Sequence, residues 1–233
     1  MTYRLAIFDL DGTLADTFPW FLQIINDVAD RFRFKRIEAN EVESLRRLSA
    51  LDMIRHLEVP AWKLPFVARH MRALAARDLN ELRLFEGVGE MVTDVSAAGV
   101  QIAIVSSNSE SNVRRLLGPE LAARVHHFAC GASLFGKGRK IQQTLRALRV
   151  APPNAILIGD EIRDHEAAQS TGVAFGAVEW GYTAPEALSA IPPTVLFRTP
   201  SDIAEFVLSQ PPDQHPNAYS TRAPLAEHPT QWP

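Results

Sequence analysis

From Phe85 onward, short apolar strands alternate with helical segments, and none of those strands carries a polar face. Gln101–Val105, Ala155–Ile158, Ala174–Val178 and Val195–Phe197 are apolar nearly throughout. A strand without a polar side has to be covered on both faces, which is the condition of a parallel sheet wound with helices. The intervening pieces supply those helices. One runs through Met91 and Val95 and stops at Gly99, and a second starts near Ser109. A third runs through Ile141 and Leu148, a fourth ends at Gly172, and a last one covers Ser201–Leu208. A further strand is expected near Phe128.

One more strand, Arg4–Phe8, opens the chain and leads straight into Asp9-Leu-Asp11-Gly-Thr13. Between about residues 17 and 84 the pattern changes. Apolar residues recur at helical spacing, in Phe21, Ile24, Ile25 and Val28, then in Leu45, Leu48, Leu51, Ile54 and Leu57. Pro60 and Pro65 divide this stretch. The expected architecture is a doubly wound, Rossmann-like α/β core made of residues 1–16 and 85–210. A small helical bundle, residues 17–84, is inserted after the first strand. Residues 211–233, rich in proline and poor in apolar side chains, read as a disordered tail.

Composition limits the partners. The hydrophobic fraction is 46% and the charged fraction 22%, values of an ordinary packed domain. A net charge of −3 gives no basic footprint, so nucleic acid is not an expected partner. A single cysteine, Cys130, fits a reducing compartment. The opening residues lack a basic segment followed by a longer apolar run, and no stretch is apolar for long enough to span a bilayer. A cytoplasmic protein is expected, as a monomer or homodimer.

Four segments carry chemistry. Asp9 and Asp11 stand at the carboxyl end of a strand, where open parallel sheets bind their ligands. Two such carboxylates repel unless a cation lies between them, and oxygen ligands suit magnesium. Gly12 allows the sharp turn, although Asp-Gly is also an ordinary turn signal. Gly159-Asp160-Glu161-Ile162-Arg163-Asp164 repeats the arrangement, with Asp164 one helical turn beyond Asp160. Acidic residues at a helix N-terminus are common for the dipole alone. Ser106 and Ser107 follow a strand and precede a helix, a placement suited to phosphate oxygens and equally to helix capping. Gly136-Lys137-Gly138-Arg139-Lys140 opens a helix with cations that could meet an anion.

Together, and in this order, these segments resemble the haloacid dehalogenase-like hydrolase superfamily, in particular its phosphatases with a helical cap. Asp9-Leu-Asp11-Gly-Thr13 is similar to the first motif, Ser106 to the second, Lys137 to the third, and Gly159-Asp160 with Asp164 to the fourth. The resemblance implies a magnesium-dependent phosphatase of small phosphate monoesters, phosphoglycolate among them. Asp9 would be the nucleophile and Asp11 the general acid and base. The implied magnesium set is the Asp9 carboxylate, the Asp11 backbone carbonyl and Asp160, with Asp164 or Glu161 behind it. Thr13, Ser106, Ser107 and Lys137 would meet the phosphoryl group. Relatives often place proline after the lysine, whereas Gly138 follows Lys137 here, so Lys140 stays a rival. Asp11 separates a phosphatase from a dehalogenase, because a departing halide needs no proton. A sugar-phosphate mutase or a non-catalytic phospho-acceptor would share part of this pattern. Arg46, Arg47, Arg55, Lys63, Arg69 and Arg72 are the cap cations available to a substrate, each also expected on any solvated helix face.

Overall fold

A computed structural model describes residues 3–131, 136–191 and 195–209. Its centre is a sheet of six parallel strands: β1 (Leu5–Phe8), β4 (Gln101–Val105), β5 (His127–Ala129), β6 (Ala155–Gly159), β7 (Ala174–Val178) and β8 (Val195–Phe197). Their spatial order is β5-β4-β1-β6-β7-β8. The chain therefore builds outward from β1 on one side, then crosses back and builds outward on the other. β1 pairs with β4 through Leu5 and Gln101 and with β6 through Leu5 and Ala155, so the three strands end level. The point where strand order reverses lies at the carboxyl ends of these three.

Alternation along β1 sends Leu5 and Ile7 to one face and Ala6 and Phe8 to the other. Ala6 and Phe8 join a cluster with α5 (Val88–Ala97), α6 (Glu110–Ala122) and α10 (Pro200–Ser209). Leu5 and Ile7 join one with α7 (Lys137–Leu148), α8 (Ile162–Thr171) and α9 (Pro185–Ser189). All four β1 side chains are fully buried, as the absence of a polar face requires. Gly99, at φ +80°, takes the left-handed turn that ends α5.

An antiparallel two-stranded ribbon, β2 (Ala15–Asp16) with β3 (Arg83–Leu84), brackets a helical segment. It contains α1 (Phe18–Phe32), α2 (Val42–Leu45), α3 (Ala50–His56), one turn of 3₁₀ helix and α4 (Leu64–Arg77). Two small clusters hold it together. Trp20 packs with Ala75, Leu79 and Leu82, and Ile25 packs with Ile37, Leu45 and Leu57. Pro65 lies in the first turn of α4, where a missing N–H breaks no helical hydrogen bond.

The ribbon and α9 were not anticipated, because two-residue strands and a five-residue helix are too short to show a readable period. The expected tail, residues 211–233, lies outside the described residues. Among the described residues no helix is long and apolar enough to cross a membrane.

Candidate active site

Asp9 extends β1 by one rung, its N–H donating to the Ile158 carbonyl of β6 at 2.9 Å. The next residues fold back at once, with the amides of Thr13, Leu14 and Ala15 all donating to the Leu10 carbonyl. Gly12 makes the turn possible at φ +78°, and a Cβ there would strike the Asp160 carboxylate and the Tyr182 ring. β6 ends symmetrically. Asp160 follows it fully buried, and Asp164 lies one turn into α8, also fully buried. Asp164 Oδ2 accepts from the amides of Asp160 and Glu161, both at 3.2 Å. Asp164 and Glu161 thereby form a capping box that fixes the start of α8.

Carboxylate oxygens of Asp9, Asp160 and Asp164 lie within 4.8 Å of one another. Lys137, at the start of α7, reaches Asp9 Oδ2 at 2.7 Å and Asp164 Oδ1 at 2.5 Å. Burial works against its charge, yet the carboxylates of Asp164 and Asp9 outweigh burial and raise its pKa. Among the described residues Asp160 accepts only from neutral donors, Thr13 Oγ1 at 2.7 Å and the Tyr182 amide at 2.8 Å. Burial, then the charges of Glu161, Asp164 and Asp9, push its pKa well above the ordinary range. A buried carboxylate crowded by others and without a cation of its own fits a hard divalent ion held by oxygens. Gly12 and Gly181 let the backbone close in on Asp160, since a Cβ at either would strike its side chain.

Asp11, half-buried, has its pKa pushed up to about 6 by burial first and the Asp9 charge second. Thr17 hydrogen-bonds Asp11, and its hydroxyl lies 3.0 Å from Tyr182 Oη. Tyr182 is thus linked to Asp11 through Thr17 and to Asp160 through its own amide. Ser106 ends β4 almost fully buried, and its Oγ accepts from the Asn108 amide at 3.0 Å. Ser106 and Ser107 line a cleft with Asp9, Lys137 and Arg163. Arg163 Nη2 donates to Glu161, while its buried Nε has no hydrogen-bond partner among the described residues.

Several placements differ from expectation. Thr13 does not face the cleft: it is 1% exposed and its hydroxyl is committed to Asp160, so its part is to hold that carboxylate. Lys140 also lines the cleft, but its ammonium donates to the carbonyls of Ser106 and Gly131 at 2.6 and 2.5 Å. Lys137 is the cation on Asp9. Asp164, read as lying behind the metal, sits among the three clustered carboxylates, although Lys137 and two amides already occupy its oxygens. Of the helical-segment cations, Arg46 touches this region, donating to the carbonyls of Tyr182 and Gly181. Lys63 donates to Phe32, Arg55 pairs with Asp52, and Arg69 lines a separate groove with Arg31.

Arg163, Thr17 and Tyr182 escaped the sequence reading. Arg163 lies inside the very segment that supplied Asp160 and Asp164, and a cation among three acids was the available signal. Trp180-Gly-Tyr-Thr183 follows a strand end with a glycine between aromatics, the mark of a close backbone approach.

The family model described as haloacid dehalogenase-like hydrolase matches residues 6–178. A phosphoglycolate phosphatase of Synechococcus elongatus is 30% identical over 202 residues, spanning 86% of this chain and 95% of that protein. An N-acetylmuramic acid 6-phosphate phosphatase of Pseudomonas putida is 26% identical, over 80% of this chain and 87% of its own. A crystal structure from Lactobacillus plantarum superposes with a TM-score of 0.75 at 22% identity, covering 88% of this chain and 99% of that one.

Proposed function

The chain belongs to the haloacid dehalogenase-like hydrolases, and from that premise we propose a magnesium-dependent phosphatase that hydrolyses a small phosphate monoester through an acyl-phosphate on Asp9. The observation that carries the reading is Lys137, which joins Asp9 at 2.7 Å to Asp164 at 2.5 Å where strand order reverses. A carboxylate gripped by a buried ammonium is held in one orientation, which a nucleophile facing an anionic phosphate requires.

In the first step an Asp9 oxygen bonds to phosphorus and the bond from phosphorus to the ester oxygen breaks. That oxygen takes the Asp11 proton and leaves as the alcohol. Asp11 suits this role because, at a pKa of about 6, part of it still carries a proton near neutrality. In the second step Asp11 takes a proton from water, and the water oxygen attacks phosphorus. Inorganic phosphate leaves and Asp9 is restored. Lys137, Ser106 and Ser107 hold the phosphoryl oxygens, and Arg163 has a free Nε to add. Asp164 keeps Lys137 in place. Magnesium, held by Asp9, Asp160 and the Asp11 carbonyl, would neutralise phosphoryl charge. Residues 17–84 form a cap over the core made of 1–16 and 85–210, and close the site against water.

The test is phosphate release from a panel of monoesters with magnesium, with the metal chelated, and with Asp9→Asn. Release that needs the metal and falls at least about 1,000-fold in the variant is expected. Undiminished release by Asp9→Asn removes the nucleophile. Turnover only with added bisphosphate would indicate a mutase instead.

A further inference from the structure

Beside the acidic cluster lies a second cavity, of about 260 Å³, between the helical segment and the loop after β7. Its walls include Phe18, Phe21, Ile37, Leu48, Met53 and Ile54, together with Tyr182. Phe18 and Phe21 meet the Tyr182 ring edge-on, at 5.0 and 5.7 Å between centroids. Arg163 lines both this cavity and the phosphate cleft, so the two share a wall. The Arg46 guanidinium is not free for a ligand. It donates to the carbonyls of Tyr182 and Gly181 and lies over the Phe18 ring. The remaining charges that line the cavity are Glu161 and Arg163, which pair with each other.

We propose that this cavity receives the alcohol part of the substrate, and that the preferred ester is one of an aromatic or branched apolar alcohol. The proposal rests on the phosphatase reading and narrows it. An enclosed apolar void of about 150 Å³ accepts benzene, and this cavity, mostly apolar and of about 260 Å³, has room for a larger apolar body. A two-carbon carboxylate such as glycolate would leave most of the void unfilled and bury a charge against apolar walls. The phosphoryl group would lie on Lys137 and Ser106, with Arg163 at the junction and the ester oxygen near Asp11.

Three esters that all leave as primary alcohols separate pocket preference from leaving-group chemistry: 2-(1-naphthyl)ethyl phosphate, ethyl phosphate and phosphoglycolate. With magnesium and the full-length protein, kcat/KM for the naphthylethyl ester should exceed each of the others by about 100-fold. Ala50→Phe, which adds a ring to the cavity wall, should cut that ratio at least about 10-fold. Calorimetry gives a readout free of turnover: naphthylethylphosphonate should bind the wild-type protein about 100-fold more tightly than ethylphosphonate. Phosphate release with a ratio near one, or in favour of phosphoglycolate, overturns the pocket assignment and leaves the phosphatase reading intact. If no ester is hydrolysed, the phosphatase reading fails, and the two phosphonates still decide the pocket: equal affinities overturn it.

Discussion

Asp11→Asn should make the metal-free protein more stable at pH 7.5 while removing its turnover. Asp11 has an ordinary pKa of 3.8 and one of about 6 in the fold, because burial and the Asp9 charge disfavour its ionised form. Between these values the folded protein holds a proton that the unfolded chain has released. Stability therefore falls as pH rises from about 4 to about 6, and the loss is complete above that. The full displacement corresponds to about 3 kcal/mol. Asp11 is partly open to solvent, which screens the repulsion, so about 2 kcal/mol is the better figure. Asparagine has the same shape and no charge. For a chain of this size the gain amounts to about 4–8 °C in Tm. Thermal unfolding followed by circular dichroism in EDTA, at half-unit steps from pH 4 to 8, reads it directly. The variant's advantage should appear above pH 6, close towards pH 4, and shrink at pH 7.5 when magnesium is added. An equal Tm at pH 7.5, or an advantage that persists at pH 4, refutes the argument.

Lys137→Met strands two buried carboxylates and should cost about 3–5 kcal/mol in denaturant unfolding, with turnover lost. Lys140→Met releases two backbone carbonyls and should cost about 1–3 kcal/mol, with most of kcat retained in a steady-state assay. Thr13→Val removes a donor from Asp160 at constant shape and should weaken magnesium about 10-fold or more by calorimetry, with little change in kcat at saturating metal. Gly12→Ala combines a left-handed backbone with a collision against Asp160. It should lower both Tm and magnesium affinity, whereas Gly99→Ala, equally left-handed but in open space, should lower Tm alone.

What could be read without coordinates follows from the range over which each signal acts. The sheet was legible because burial on both faces writes itself into every residue of a strand. Leu5 to Phe8, Ile102 to Val105 and Ala155 to Ile158 are all nearly or fully buried, and all are apolar. Asp9 and Asp160 were legible for a related reason: a carboxylate directly after such a strand lies where adjacent parallel strands end level, whatever the loops do. Side-chain commitments are different, since they depend on atoms brought together from distant parts of the chain. Thr13 could hold a phosphate oxygen or Asp160, and only the approach of β6 selects the second. Lys137 and Lys140 lie on one helix three residues apart. Which of them meets Asp9 depends on the rotation of α7, whose apolar Ile141 and Leu145 are turned into the core. For Tyr182 the glycine before it marks only a close backbone approach, and its partners are not locally readable, because its links to Asp160 and to Thr17 span 22 and 165 residues. The same distance explains its importance. A residue that ties the proposed proton donor to a carboxylate of the proposed metal site can only be supplied by the fold, and the loop bearing it is also the one Arg46 holds from the helical segment.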